Sequence, residues 1–199
     1  MKKLTVPFGA LPQNPAGYID HYPWADNGYC PKGELTLSYD ETALKVRLFA
    51  PITEELTILT KVDDGPVWED NCLEFFFAPF DREEDYLNIE CNPAEAMVIG
   101  KGAGHNDRQS VTAFLKPQLN VKTKIIPGKG WEVTYAIPFA AIAELYGKDY
   151  APKKGTTFCF NAYLCGEKTP LLHFGSWSPI DTPAPDFHRP EFFGIGELD

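Results

Sequence analysis

The amino-acid sequence predicts an all-β fold, an antiparallel β-sandwich with one short helix and irregular, proline-rich ends. Two observations carry this. Hydrophobic residues alternate with period two along most of the chain, and the alternating runs are separated by clusters of Gly, Pro, Asp and Lys. A third bounds it: 199 residues with 44% hydrophobic composition can bury one good core, so residues 1–199 are read as a single sandwich domain.

The predicted strands follow in order. Leu35, Leu37 and Tyr39 form the first alternating run, Leu44, Val46 and Leu48 the second, and Leu56 and Ile58 a shorter third. Leu73/Phe75/Phe77 and Leu87/Ile89/Cys91 come next, then Val121 to Ile126, Trp131/Val133/Tyr135/Ile137 and Phe158/Phe160/Ala162/Leu164. The total is roughly eight or more strands, the pattern of a sandwich. The predicted helix covers Pro138 to Tyr146. Pro138 suits the first turn, and Phe139, Ile142, Ala143 and Tyr146 recur at helical spacing. Prolines 7, 12, 15, 23 and 31 mark the N-terminal segment, and prolines 170, 179, 183, 185 and 190 the C-terminal one. Both ends are expected to wrap the sandwich as ordered, irregular segments, because Tyr18, Tyr22, Trp24, Phe187, Phe192 and Phe193 must pack somewhere.

Charge excludes some partners. Eighteen basic residues against 28 acidic ones give a net charge of −10, which repels nucleic-acid phosphates and anionic lipid surfaces. After Met1-Lys2-Lys3-Leu4, residues Pro7, Gly9, Pro12, Gln13 and Asn14 interrupt any apolar stretch of signal-peptide length. No run approaches the ~18 apolar residues of a membrane span. A soluble, cytoplasmic protein is expected. The five cysteines, at positions 30, 72, 91, 159 and 165, are odd in number, lie mostly in apolar runs and include no Cys-x-x-Cys spacing. They read as buried free thiols, with no zinc or redox motif in support.

Candidate chemistry gathers around two tryptophans. Trp68 introduces Glu69-Asp70-Asn71-Cys72-Leu73-Glu74-Phe75-Phe76-Phe77, and Trp177 lies in Phe174-Gly175-Ser176-Trp177-Ser178-Pro179. An indole suits the C–H face of a sugar ring as well as it suits a core. In the strand through Leu73, Phe75 and Phe77, the opposite set of side chains contains Glu74, a carboxylate among apolar residues. Burying it bare costs several kcal/mol, so it must be paired or face a wet cleft. Asn88 and Glu90 occupy the non-core face of the next strand, and Asn161 that of a third. Together they can floor a polar groove that takes adjacent hydroxyls, or simply form the solvated face of an antiparallel sheet.

At these residues the sequence resembles the family 9 carbohydrate-binding modules, specifically their single-domain, DOMON-like bacterial relatives. The resemblance covers most of the chain. It is carried by Val67-Trp68-Glu69-Asp70-Asn71-Cys72-Leu73-Glu74-Phe75-Phe76, by Tyr86-Leu87-Asn88-Ile89-Glu90-Cys91-Asn92, by Trp131-Glu132-Val133 leading to Ile137-Pro138-Phe139, and by Pro185-Asp186-Phe187-His188-Arg189-Pro190-Glu191-Phe192-Phe193-Gly194. The resemblance implies a jelly-roll sandwich that binds a mono- or oligosaccharide between two tryptophans without cleaving it. Carried over to this chain, it places the ring between Trp68 and Trp177, with Glu74, Asn161 and Arg108 as polar contacts; Asn88 and Glu90, read from strand parity, are further candidate ligand-binding residues. Some modules of the family hold structural calcium, for which Asp81, Glu83, Glu84 and Asp85 are the candidates; they lack the order of a dedicated calcium loop and read as a solvated acidic turn.

Two other classes compete. Glu74 and Glu90 could be the carboxylate pair of a glycoside hydrolase. The DOMON-like relationship admits haem, for which Met97 and His173 are an available axial pair that no spacing rule supports. No Gly-x-Ser-x-Gly elbow or His-Glu-x-x-His helix occurs. His188 and Arg189 read as a charged hinge that pins the C-terminal segment through Glu191 or Asp186, with Arg189 able to fork onto a ligand.

Overall fold

The computed structural model describes residues 1–52, 54–82 and 84–199. These residues form thirteen strands and two α-helices. In chain order they are β1 (Lys3–Val6), β2 (Gly17–Ile19), β3 (Gly33–Tyr39), β4 (Ala43–Ala50), β5 (Cys72–Ala78), β6 (Tyr86–Cys91), β7 (Met97–Gly102) and β8 (Gln109–Ser110). Then follow α1 (Thr112–Leu119), β9 (Lys122–Ile126), β10 (Gly130–Pro138), α2 (Phe139–Tyr146), β11 (Thr157–Gly166), β12 (His173–Ser176) and β13 (Gly194–Leu198).

Two sheets face each other, as expected of a sandwich. The larger runs β1-β13-β11-β5-β6-β7-β8, with β12 also on β11; the smaller runs β2-β3-β4-β10-β9. Named strand pairs are antiparallel except β1 with β13, which run parallel. The alternation read from sequence fills the space between the sheets: Leu73, Phe75, Phe77, Leu87 and Ile89 from one meet Leu35, Leu37, Val46, Leu48, Trp131 and Val133 from the other.

The back of the larger sheet is also dry. Cys72, Phe76, Ala78, Tyr86, Tyr163 and Cys165 point away from the sandwich core and are covered by Val67, Ile180, Phe187 and Phe193. Every residue of β5 is therefore buried, although the strand alternates. The proline-rich C-terminal segment is a third layer over this face, and it builds the walls of the site.

Several local expectations change. Leu56 and Ile58 form no strand: the Thr57 N–H donates to Asn71 Oδ1 at 2.7 Å, and the Leu59 and Thr60 N–H groups donate to the Asp70 carboxylate at 2.8 and 3.0 Å. Two buried side chains thus take the place of a neighbouring strand and hold the segment without a ladder. Helix α1 is an addition to the expected elements: it contains Pro117 and lacks a clear apolar stripe, so periodicity does not mark it. Parts of both ends, expected to be irregular, are strands: β1, β2, β12 and β13. Among the described residues no helix is long and apolar enough to cross a membrane.

Candidate functional site

A cavity of about 320 Å³ opens between the outer face of the larger sheet and the C-terminal cover. Its floor is carboxylic. Glu74 of β5 and Glu90 of β6 lie directly opposite each other in the antiparallel register, and each is only 3% exposed. Directly opposed side chains on one sheet face lie roughly 5 Å apart at Cβ. The Cys165 thiol donates to Glu74 Oε1 at 2.9 Å, and Asn88 Nδ2 donates to Glu90 Oε1 at 2.8 Å.

Burial, and next the Glu90 charge, push the Glu74 carboxyl well above the ordinary carboxylate range. Burial likewise raises Glu90, to about 7, against the opposing pull of Arg108 and of the Asn88 hydrogen bond. Two carboxyls side by side in a dry setting cannot both stay ionised cheaply. The floor therefore offers a donor as well as acceptors, which a hydroxyl-rich ligand can use from both sides.

Arg108 forms one rim, reaching from the loop after β7. A Cβ on Gly102 would lie 2.5 Å from Arg108 Cα, so only glycine lets that loop fold back so closely over the strand. Arg108 Nη1 stands 4.0 Å from Glu90 Oε1 and 2.5 Å from His188 Nε2. A guanidinium only donates, so Nε2 of His188 accepts. Its Nδ1, 2.7 Å from the Tyr86 hydroxyl, then carries the proton, a tautomer assigned from these partners. Burial, then Arg108 and His105, drive His188 down to about 3, which keeps it neutral.

This has a consequence for stability. Above pH 6.5 His188 is neutral folded or unfolded, and contributes no slope. As pH falls from 6.5 towards 3, the unfolded chain takes a proton that the folded chain refuses, so stability is lost at up to about 1.4 kcal/mol per pH unit. Urea midpoints of wild type and His188→Gln between pH 7 and 4 are expected to show a shallower decline in the variant. Parallel curves would rule this origin out.

Aromatic side chains supply the walls. Trp68, in a short 3-10 turn at Val67–Glu69, is half-buried and lines the cavity, as does the half-buried Phe174 of β12. Phe187 lies behind, stacked on Tyr163 with centroids 4.1 Å apart.

Of the residues read from sequence, the structure gathers Trp68, Glu74, Glu90 and Arg108 around this cavity. Trp177 requires a correction. It is 3% exposed and stacks on Phe160 in the sandwich core, centroids 4.4 Å apart and planes 12° apart. It follows Phe174 at an offset of three, and in an extended strand an odd offset puts two side chains on opposite faces. Asn161 is corrected as well. Fully buried, it donates to the Ser178 carbonyl at 3.0 Å and accepts from the Ser178 N–H at 2.8 Å, which ties down the chain between β12 and the C-terminal cover. Asn88 is buried too, and acts on the floor through Glu90.

His188 lines the cavity rather than serving only as a hinge, while Arg189 pairs with Glu191 at 2.6 Å and Asp186 at 3.8 Å. Cys165, Phe174 and Phe187 were not singled out as site residues; the parity of Cys165 with Asn161 and of Phe174 against Trp177 is the signal that finds the first two. Of the haem candidates, Met97 is fully buried between the sheets, whereas the His173 ring packs edge-on against Tyr29 with its Nδ1 on the Leu171 carbonyl. In the acidic turn, Glu84 is ion-paired with Lys148 and Asp85 with Lys101, and Glu83 lies outside the described residues.

The family model described as carbohydrate-binding family 9 matches residues 11–198. A provisionally assigned carbohydrate-binding protein from Bacteroides uniformis superposes with TM-score 0.84 at 26% identity, covering 100% of this chain and 99% of that one. A family 9 carbohydrate-binding module from Caldicellulosiruptor kristjanssonii in complex with glucose has TM-score 0.66 at 18% identity, with 100% and 96% covered. The module from that organism in complex with cellotriose has TM-score 0.63 at 18% identity, with 99% and 93% covered. No curated protein matches the chain.

Proposed function

Because this chain belongs to carbohydrate-binding family 9, we propose that it binds a mono- or oligosaccharide, without cleaving it, in the cavity between the larger sheet and the C-terminal cover. The observation that carries the reading is the pairing, in one small cavity, of a half-buried indole with a buried polar floor. Trp68 offers a flat apolar face to the C–H side of a pyranose ring, and Phe174 supplies the second aromatic wall. Glu90, Arg108 and the Glu74 carboxyl take the hydroxyls, donating and accepting in turn. At about 320 Å³ the cavity sits at the small end of the ~300–1,000 Å³ typical of ligand pockets, which suits one or two sugar rings. The glucose and cellotriose in the two family 9 module structures of similar fold support a saccharide ligand.

The arrangement supports binding over hydrolysis. A glycosidase sets its two carboxyls on either side of the scissile bond. Here Glu74 and Glu90 rise from neighbouring strands on the same sheet face, and each is only 3% exposed, on the floor of the cavity rather than on facing walls.

Calorimetric titration with a panel of neutral mono- and disaccharides tests this, with concentrations taken into the ~mM range where modest affinities register. Wild type is expected to bind at least one of them, and Arg108→Ala to bind it about tenfold more weakly, through the loss of a charge-assisted hydrogen bond. Silence across the whole panel would defeat the reading, and so would release of reducing sugar from the disaccharides.

A further inference from the structure

Beneath the sugar-facing floor lies a grouping that sequence spacing could not reveal. Cys72 and Cys165 are exact cross-strand partners on β5 and β11, and Glu74, two residues along β5, points to the same face. Their two sulfur atoms and one carboxylate oxygen all lie within 4.8 Å of one another, and all three residues are buried. From this juxtaposition we propose that Cys72, Glu74 and Cys165 form a binding site for one thiophilic divalent cation of the zinc type, with its fourth coordination position facing the cavity.

Geometry and chemistry converge here. A tetrahedral zinc site with bonds of about 2.3 Å to sulfur and about 2.0 Å to oxygen sets its ligand atoms roughly 3.5–3.8 Å apart. The Cys165 Sγ to Glu74 Oε1 separation is 2.9 Å and all three ligand atoms lie within 4.8 Å of one another, so side-chain adjustments on the order of 1 Å reach that geometry. Two thiolates select a soft or borderline cation over calcium or magnesium, which prefer all-oxygen shells. Three protein ligands with one open position is also the arrangement by which a protein-bound zinc keeps a place for water or a ligand oxygen. Glu74 and Cys165 line the cavity, so the open position points into it.

Charge balances as well. The cation displaces the protons of two thiols, and that of Glu74 where it carries one, to solvent, leaving a net charge of −1 at the centre, and the Arg108 charge acts on Glu74 to offset it. The site does not depend on the sugar reading, because every measurement that tests it is made without sugar.

The test uses the whole chain, reduced and stripped of metal, titrated with Cd2+ and then with Zn2+. Expected are one ion per chain, a thiolate-to-cadmium charge-transfer band whose intensity counts two thiolates, and its displacement by Zn2+. Cys72→Ser and Cys165→Ser should each weaken binding at least ~100-fold, whereas Cys159→Ser leaves it unchanged. A measurement on wild type guards against misfolded variants: X-ray absorption of the zinc-loaded protein should show two sulfur neighbours at about 2.3 Å, completed by oxygen or nitrogen. Absence of the band, a shell lacking two sulfurs, or a band that survives in the Cys72→Ser/Cys165→Ser double variant would overturn the proposal.

Discussion

Replacing Trp177 with alanine is expected to cost about 3–5 kcal/mol of folding stability, the range for deleting a large aromatic side chain from a packed core. The indole is nearly sealed, stacks on Phe160 and fills a slot between the sheets that is too narrow for other neighbours. Cβ atoms at Gly17 and Gly194, one from each sheet, would lie 2.6 and 2.3 Å from its ring atoms. Such close walls leave a rigid void when the ring is removed, so little of the loss is recovered by collapse. Urea unfolding checks this directly, and a midpoint within ~0.5 kcal/mol of wild type would refute the core assignment. Whatever fraction of Trp177→Ala remains folded should still bind sugar, because no atom of the ring reaches the cavity lining.

Trp68→Ala is expected to behave in the opposite way. Sugar affinity should fall by roughly 30-fold, about 2 kcal/mol, from the loss of a stacking face of this size. Stability should change by only about 1 kcal/mol, because the ring is half-exposed and its turn is held by backbone contacts: the Trp68 carbonyl accepts from the Glu167 N–H at 3.2 Å, and the Asp70 N–H donates to the Val67 carbonyl at 3.1 Å. Titration of the folded variant with the sugar that wild type prefers gives the answer. Undiminished affinity would remove Trp68 from the site. Taken together, the two variants separate an indole that holds the sheets together from one proposed to hold a ligand.

Much of this was legible because strand parity is a short-range property. The alternation of Leu73, Phe75 and Phe77 placed Glu74 on the far face, and the same count placed Glu90 and Asn88 on the far face of β6, where all three are found. What alternation does not contain is what covers that far face. Here a segment about a hundred residues later in the chain, ending in Phe187 and Phe193, lies over it, and it turns a surface that should be wet into a second apolar layer. Asn161 was drawn into the site for that reason: its parity fits the site face, but the cover closes over it and takes both ends of its amide. The two tryptophans show the same limit from the other side. Trp68 lies in a motif that resembles the family and Trp177 does not, and the three-residue offset from Phe174 decides which aromatic turns outward, so that Trp177 turns in. The thiol pair was invisible for a different reason, because Cys72 and Cys165 meet only through the register of β5 against β11.

The parallel pairing of the first and last strands has a mechanical meaning. Lys3 to Val6 run alongside Ile195 to Leu198 in the same direction, flanked by the Ile195 N–H on the Lys2 carbonyl and the Asp199 N–H on the Val6 carbonyl, both at 3.0 Å. A tension applied before β1 and after β13 therefore drags the two strands past each other lengthwise. Every rung of the ladder carries load at once, and none can be peeled open in turn. Antiparallel partners at that position would open like a zipper, one bond at a time. The sheet edge that joins the two ends of the fold is thus oriented to resist traction by shear, which protects the layer above it, and the site beneath that layer, for as long as the rungs hold together.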